Sequence, residues 1–121
     1  MKLKQTAVMA AVLSIAVLLG TSGCASNKID MSSVSEVIDV RSAAEYQAGH
    51  LQGAVNIDVE QPDFATNVST LDKSAKYVLY CHSGRRAGIA VQQMTDLGFT
   101  DLINAGGIDE ASASTGLPIG Q

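Results

Sequence analysis

The chain is poor in cysteine, histidine and aromatic side chains. Its 121 residues include two cysteines, two histidines and five aromatic residues, with no tryptophan. Two cysteines, Cys24 and Cys81, cannot build the disulfide framework on which small secreted domains rely. Two histidines, His50 and His82, and one free cysteine, far apart in sequence, do not make a zinc site. No metal or other cofactor is therefore expected. Positive charge is in deficit too. Eight basic residues stand against twelve acidic ones, a net charge of −4, which argues against a nucleic-acid binder. No apolar run reaches the roughly 20 residues that a membrane-spanning helix needs. What is present is ordinary for a globular protein, and the length fits one domain.

The first 24 residues do not read as part of the fold. Lys2 and Lys4 give a basic start, Ala7 to Leu19 is apolar apart from Ser14, and Gly20 to Gly23 are small. This is the three-part design of a secretory signal, assigned here to residues 1–23. An uncleaved anchor is the competing reading, and the short apolar run counts against it. Thr21-Ser22-Gly23-Cys24 resembles the lipobox of bacterial lipoproteins, although leucine is usual where Thr21 stands; ordinary cleavage nearby is the alternative. The resemblance implies lipid attachment at Cys24 and a protein exported to the periplasmic side or the cell surface, held at the membrane. With Cys24 first, 98 residues remain and the loss of Lys2 and Lys4 brings the net charge to −6. Cys81 is then the sole free thiol in an oxidising compartment, which disfavours a disulfide oxidoreductase.

Residues 24–35 are polar and aperiodic and read as a tether, leaving 36–121 as the domain. Val37 to Val40 is a β-branched run expected as a buried parallel strand. Ser42 and Glu45 form a capping-box pattern for a brief helix that Gly49 stops. Ala54 to Ile57 is a second strand. Asp58 to Leu71 carries a weak helical pattern, and Asp72-Lys73-Ser74 a turn. A strand is expected over Lys76–Tyr80 and a helix over Ala87–Leu97, with Val91, Met94 and Leu97 on its buried face. A fourth strand covers Asp101–Asn104, Gly106-Gly107 is a turn, and Ile108–Ser112 a short helix. Gly116 to Gln121 reads as frayed. Strands alternating with helices indicate an α/β domain with a parallel sheet of four to five strands flanked by helices.

Cys81-His82-Ser83-Gly84-Arg85-Arg86 is the centre of chemical interest. A cysteine at a strand's carboxyl end, one tight loop before a helix, faces unpaired amides and the positive end of a helix dipole. Both favour a thiolate or a bound oxyanion, and two arginines add full charge. Asp39 and Arg41 end a buried strand, where charges need partners. Arg41 and Glu45 are near enough in sequence to pair locally. These three read as structural support for the site. His50 is expected to hydrogen-bond its turn, and no partner is visible for His82.

Val37-Ile38-Asp39-Val40-Arg41, Glu45-Tyr46, Gly49 to Ile57, the loop from Cys81, Leu97-Gly98-Phe99 and Gly106-Gly107 together resemble a single-domain rhodanese over roughly residues 34–110. The short N-terminus and Asn104 to Ile108 are most similar to small periplasmic members of the phage-shock-protein E type. The resemblance implies a five-stranded parallel sheet between helices, with the family's first strand and helix reduced here. It implies transfer of sulfane sulfur from thiosulfate or a related small anion to cyanide or a thiol. Cys81 would be the nucleophile and would carry the persulfide. The amides of His82, Ser83, Gly84, Arg85 and Arg86 would cradle it, and Arg85 and Arg86 suit the sulfonate of the donor. His82 stands where many members have arginine. Two other uses of the fold are weighed: a noncatalytic binding module, which usually lacks the cysteine, and a rhodanese-like phosphatase or arsenate reductase. The latter needs an arginine six residues after the cysteine. Here Arg86 is fifth and Ala87 sixth.

Overall fold

The computed structural model describes residues 27–121. The signal assigned to 1–23 and the lipid site Cys24 lie outside the described residues. Among those described, no helix is long and apolar enough to cross a membrane.

A parallel sheet organises the chain. β1 (Val34–Asp39) and β4 (Lys76–Cys81) lie at its centre, flanked by β3 (Val55–Asn56) and β5 (Asp101–Gly107), in the order β3-β1-β4-β5. The expected α/β class and four strands are present. Tyr77 to Cys81 are all buried, as a central strand covered on both faces requires. Ile38, Leu79 and Cys81 face one apolar layer with Phe64, Val68, Ala87, Ala90 and Met94. These last come from α2 (Phe64–Val68) and α3 (Arg85–Asp96). Val37, Val78 and Tyr80 face the other layer, with Ala111 of α4 (Ile108–Thr115) and Tyr46 of α1 (Ala43–Ala48). The alternation along each strand is the period of two that sends neighbours to opposite faces. The five-residue α2 is too short to be stable alone. Burial of Phe64 and Val68, worth about 1.5–3 kcal/mol each, holds it down.

The capping box is as expected. Ser42 Oγ accepts the Glu45 N–H at 3.2 Å, and Glu45 Oε1 accepts the Ser42 N–H at 3.4 Å. Boundaries around the loop differ from expectation in ways that matter. β4 runs through Cys81 and α3 begins at Arg85, so only three residues separate them and both arginines sit in the first helical turn. β5 continues through Gly106-Gly107 and does not turn there. Gly106 has φ 82°, and a register shift brings Gly107 opposite Cys81.

Two segments expected to be loose are part of the fold. From the region read as a tether, Lys28 Nζ donates to Ala113 O and Ile29 N–H to Ser114 O, and Ile29, Met31 and Val34 pack on the second apolar layer. The domain therefore starts before residue 36, because three apolar side chains in a polar segment find a shared surface. At the other end, β6 (Ile119–Gly120) pairs antiparallel with β2 (His50–Leu51), so Gly116 to Gln121 is not frayed throughout.

Candidate active site

The parallel sheet puts the ends of β1 and β4 side by side, and chemistry in such sheets collects at the carboxyl ends. Cys81, the last residue of β4, is a free thiol with no exposed surface. The chain then turns through exposed His82 and Ser83 into Gly84, at φ 95°. That left-handed conformation suits glycine. It aims the Gly84 N–H at Cys81 Sγ, 2.9 Å away. The amides of Ser83, Arg85 and Arg86 have no acceptor among the described residues. These are the free donors that a helix start leaves. Of the five amides expected to form a cradle, the Gly84 amide bonds sulfur directly.

The loop is seated on β5. A Cβ on Gly84 would lie 3.2 Å from Gly106 Cα, and one on Gly107 would collide with the His82 carbonyl oxygen. Gly84 in the loop and Gly107 in β5 thus permit a backbone approach that a side chain at either position would crowd.

The structure separates the two arginines. Arg85 is exposed and forms no hydrogen bond or ion pair among the described residues. Arg86 is clamped. Its two terminal nitrogens donate to Glu45 Oε1 at 2.7 Å and Oε2 at 2.9 Å, and its Nε lies 3.9 Å from Glu60. The Glu45 hydrogen bonds raise the Arg86 pKa, with burial opposing them and the Cys81 charge adding a smaller push. Arg86 in turn holds the Glu45 carboxyl down to about 2, with help from Ser42.

Glu45 therefore does not pair with Arg41, contrary to the sequence expectation. Arg41 turns inward to Asp39, which is fully buried. Its N–H and Nε donate to Asp39 Oδ1 at 2.9 and 3.0 Å, and Nη2 donates to Oδ2 at 2.7 Å. Nη2 also caps the Gly49 carbonyl at 2.6 Å, and the guanidinium lies 5.6 Å from the Tyr80 ring centre. Asp39 is two residues away and already dehydrated, so it takes the fork. Glu45 is released to reach across to α3. Asp39 thus has the partner that a buried charge needs, and Glu45 has a different partner from the one expected. His50 bonds its turn as expected, through Nδ1 to Tyr46 O at 2.8 Å, and stacks on Tyr46. His82 has no side-chain partner among the described residues. Among those residues no group of three or more His, Cys, Asp or Glu could hold a metal. Glu60 and Asn104 were not singled out from the sequence. Glu60 lies in a loop with no motif, and Asn104 stood in the motif without an assigned role.

The Glu45–Arg86 clamp has a pH signature. A carboxyl lowered by folding stabilises the fold above its ordinary 4.5, and that contribution fades as pH falls from there to about 2. Glu45→Gln should remove this component from the acid-unfolding curve. Its stability cost at neutral pH should be about 1 kcal/mol or less, because the pair is partly open to water. Acid titration of unfolding and urea unfolding at neutral pH check the two parts.

The chain belongs to the rhodanese-like domain family, whose model matches residues 22–114. It is 36% identical over 73 residues to the thiosulfate sulfurtransferase PspE of Escherichia coli, covering 60% of this chain and 70% of that one. It is 32% identical over 77 residues to the putative sulfur carrier protein YrkF of Bacillus subtilis, covering 64% of this chain and 40% of that protein. A solved structure described as a rhodanese with anions from E. coli superposes with a TM-score of 0.58 at 34% identity, over 71% of this chain and 96% of that one.

Proposed function

We propose that the protein moves sulfane sulfur from thiosulfate, or a related small anion, to cyanide or a thiol through a persulfide on Cys81. The observation that carries this reading is the Gly84 N–H on Cys81 Sγ at 2.9 Å, beside the Ser83, Arg85 and Arg86 amides that have no acceptor among the described residues. The Cys81 thiolate attacks the sulfane sulfur of thiosulfate. The sulfur–sulfur bond of the donor breaks, and its electron pair leaves with sulfite. The persulfide carries the negative charge on its outer sulfur, facing the amides and the helix N-terminus. The acceptor then attacks that outer sulfur and the Cys81 thiolate departs. Arg85, exposed and without a partner among the described residues, is free to meet the donor's sulfonate, whereas Arg86 is committed to Glu45.

Treatment with thiosulfate should yield a species heavier by one sulfur atom, lost on adding cyanide or a reducing thiol; intact-mass spectrometry reads it. Aryl phosphates should not be hydrolysed, because a loop with Arg86 fifth after the cysteine is too small for a tetrahedral ester. Phosphatase turnover without a sulfur adduct would reverse the assignment, and neither reaction would point to a binding module.

We further propose that residues 1–23 are removed as a signal and that Cys24 is lipidated on the exported protein. Support comes from the basic start, the short apolar run and the small residues before Cys24. Wild type should fractionate with membranes, and Cys24→Ala should shift to precursor or soluble protein. A wild-type protein found soluble with an unmodified N-terminus would refute this.

A further inference from the structure

Gly84 sits where the candidate nucleophile, the loop and α3 meet, and a side chain from outside the loop holds it. Its N–H donates to Cys81 Sγ at 2.9 Å. Its carbonyl accepts the Gly88 N–H at 2.9 Å and Asn104 Nδ2 at 3.1 Å. Asn104 Oδ1 accepts the Gly106 N–H at 2.9 Å. One side chain on β5 thus bridges the loop–helix junction and the bulge opposite Cys81.

The orientation has a consequence for the next amide. A trans peptide points its C=O and N–H in opposite directions. With the Gly84 carbonyl held by Asn104 and by the helix, the N–H of the same peptide, which belongs to Arg85, faces back toward the loop. That amide has no acceptor among the described residues. A hydrogen bond on the carbonyl also polarises the peptide and strengthens its N–H as a donor. When sulfur is taken up, the negative charge moves one atom outward from Cys81 Sγ. The Gly84 N–H serves the first position of that charge, and the Arg85 N–H is directed at the second.

We propose that Asn104 is a positioning residue for the sulfur site: by holding the Gly84 carbonyl it fixes Gly84 at the junction, so that the Gly84 N–H, from the peptide before it, meets the thiolate and the Arg85 N–H, from the peptide after it, meets the outer persulfide sulfur. The persulfide half rests on the sulfur-transfer reading; the thiolate half rests on Cys81 alone. Asn104 is exposed, so substitutions there should leave the fold intact.

The test uses Asn104→Asp and Asn104→Ala with two readouts: single-turnover sulfur uptake from thiosulfate by intact mass, and alkylation of Cys81 by iodoacetamide. Asn104→Asp keeps the acceptor for the Gly106 N–H but turns an oxygen toward the Gly84 carbonyl. At pH 7.5 both rates should fall about tenfold, equivalent to ~1.4 kcal/mol of barrier. As pH drops toward the ordinary aspartate pKa of about 3.9, the introduced carboxyl gains a proton and can donate again. The ratio of variant to wild-type rate should then climb back. Asn104→Ala has no donor to regain and should be slow at every pH, and thermal midpoints should stay near wild type for both. Wild-type rates in either variant, or an Asn104→Asp deficit that does not recover on acidification, would overturn the proposal. Alkylation that depends on Asn104 in a wild type that takes up no sulfur would instead end the sulfur-transfer reading and leave the positioning of Cys81 in place.

Discussion

Cys81→Ser is expected to abolish thiosulfate:cyanide sulfur transfer, by more than about 1,000-fold, while the protein stays folded. The serine oxygen is smaller than sulfur and can still accept the Gly84 N–H that Sγ accepts at 2.9 Å. Stability should therefore change by no more than about 1.5 kcal/mol. The chemistry cannot survive. A hydroxyl needs a base to become a nucleophile, and the neighbouring His82 points to solvent without an orienting partner among the described residues. The variant should also form no sulfur adduct in the mass experiment. Substantial turnover in a folded Cys81→Ser protein would exclude the persulfide mechanism.

The largest effect on stability is expected at Asp39→Ala, a loss of about 3–5 kcal/mol. Asp39 has no exposed surface and Arg41 has 6%. Removal of the carboxylate strands a guanidinium in the interior together with a backbone N–H that loses its acceptor. Domains of this size have only about 5–15 kcal/mol in hand, so the variant should approach the edge of folding at 37 °C. Asp39→Asn keeps an acceptor for the Arg41 N–H and should cost less. Urea unfolding of the three proteins measures the series. A cost for Asp39→Ala below that of Asp39→Asn would show that the pair is not what holds the turn at the end of β1. The turn also touches the site: Val40 N–H donates to Tyr80 O at 3.1 Å, one residue before Cys81. Residual folded Asp39→Ala should therefore transfer sulfur poorly.

The two effects act on different levels of the molecule. Cys81, the candidate nucleophile, ends β4, whereas Asp39 and Arg41 fix the strand end beside it. Glu45 and Asn104 stand between these roles. Glu45 ties the first turn of α3 to α1, and Asn104 ties the last loop residue, Gly84, to β5. A loop of three residues between strand and helix has little structure of its own. Its geometry depends on what grips it from both sides.

The amino-acid sequence by itself determined the class of the fold, the capped first helix and the position of the candidate nucleophile. The reason is that each rests on a local signal. Val37 to Val40 is a β-branched run and Lys76 to Tyr80 an apolar one, both of strand length, Ser42 and Glu45 are spaced for a box, and Cys81 closely precedes a helical pattern with glycine and two arginines. The tertiary structure alone decided who pairs with whom. Glu45 reaches Arg86, 41 residues away, because Arg41 is taken by buried Asp39. Ile29 docks beside Ser114, and Leu51 finds Ile119, across separations that leave no periodic trace. Asn104 reaches the Gly84 carbonyl because a register shift at the end of β5, beside left-handed Gly106, brings Gly107 opposite Cys81. Such contacts depend on how layers stack and strands shift register, and no stretch of chain carries that information within itself.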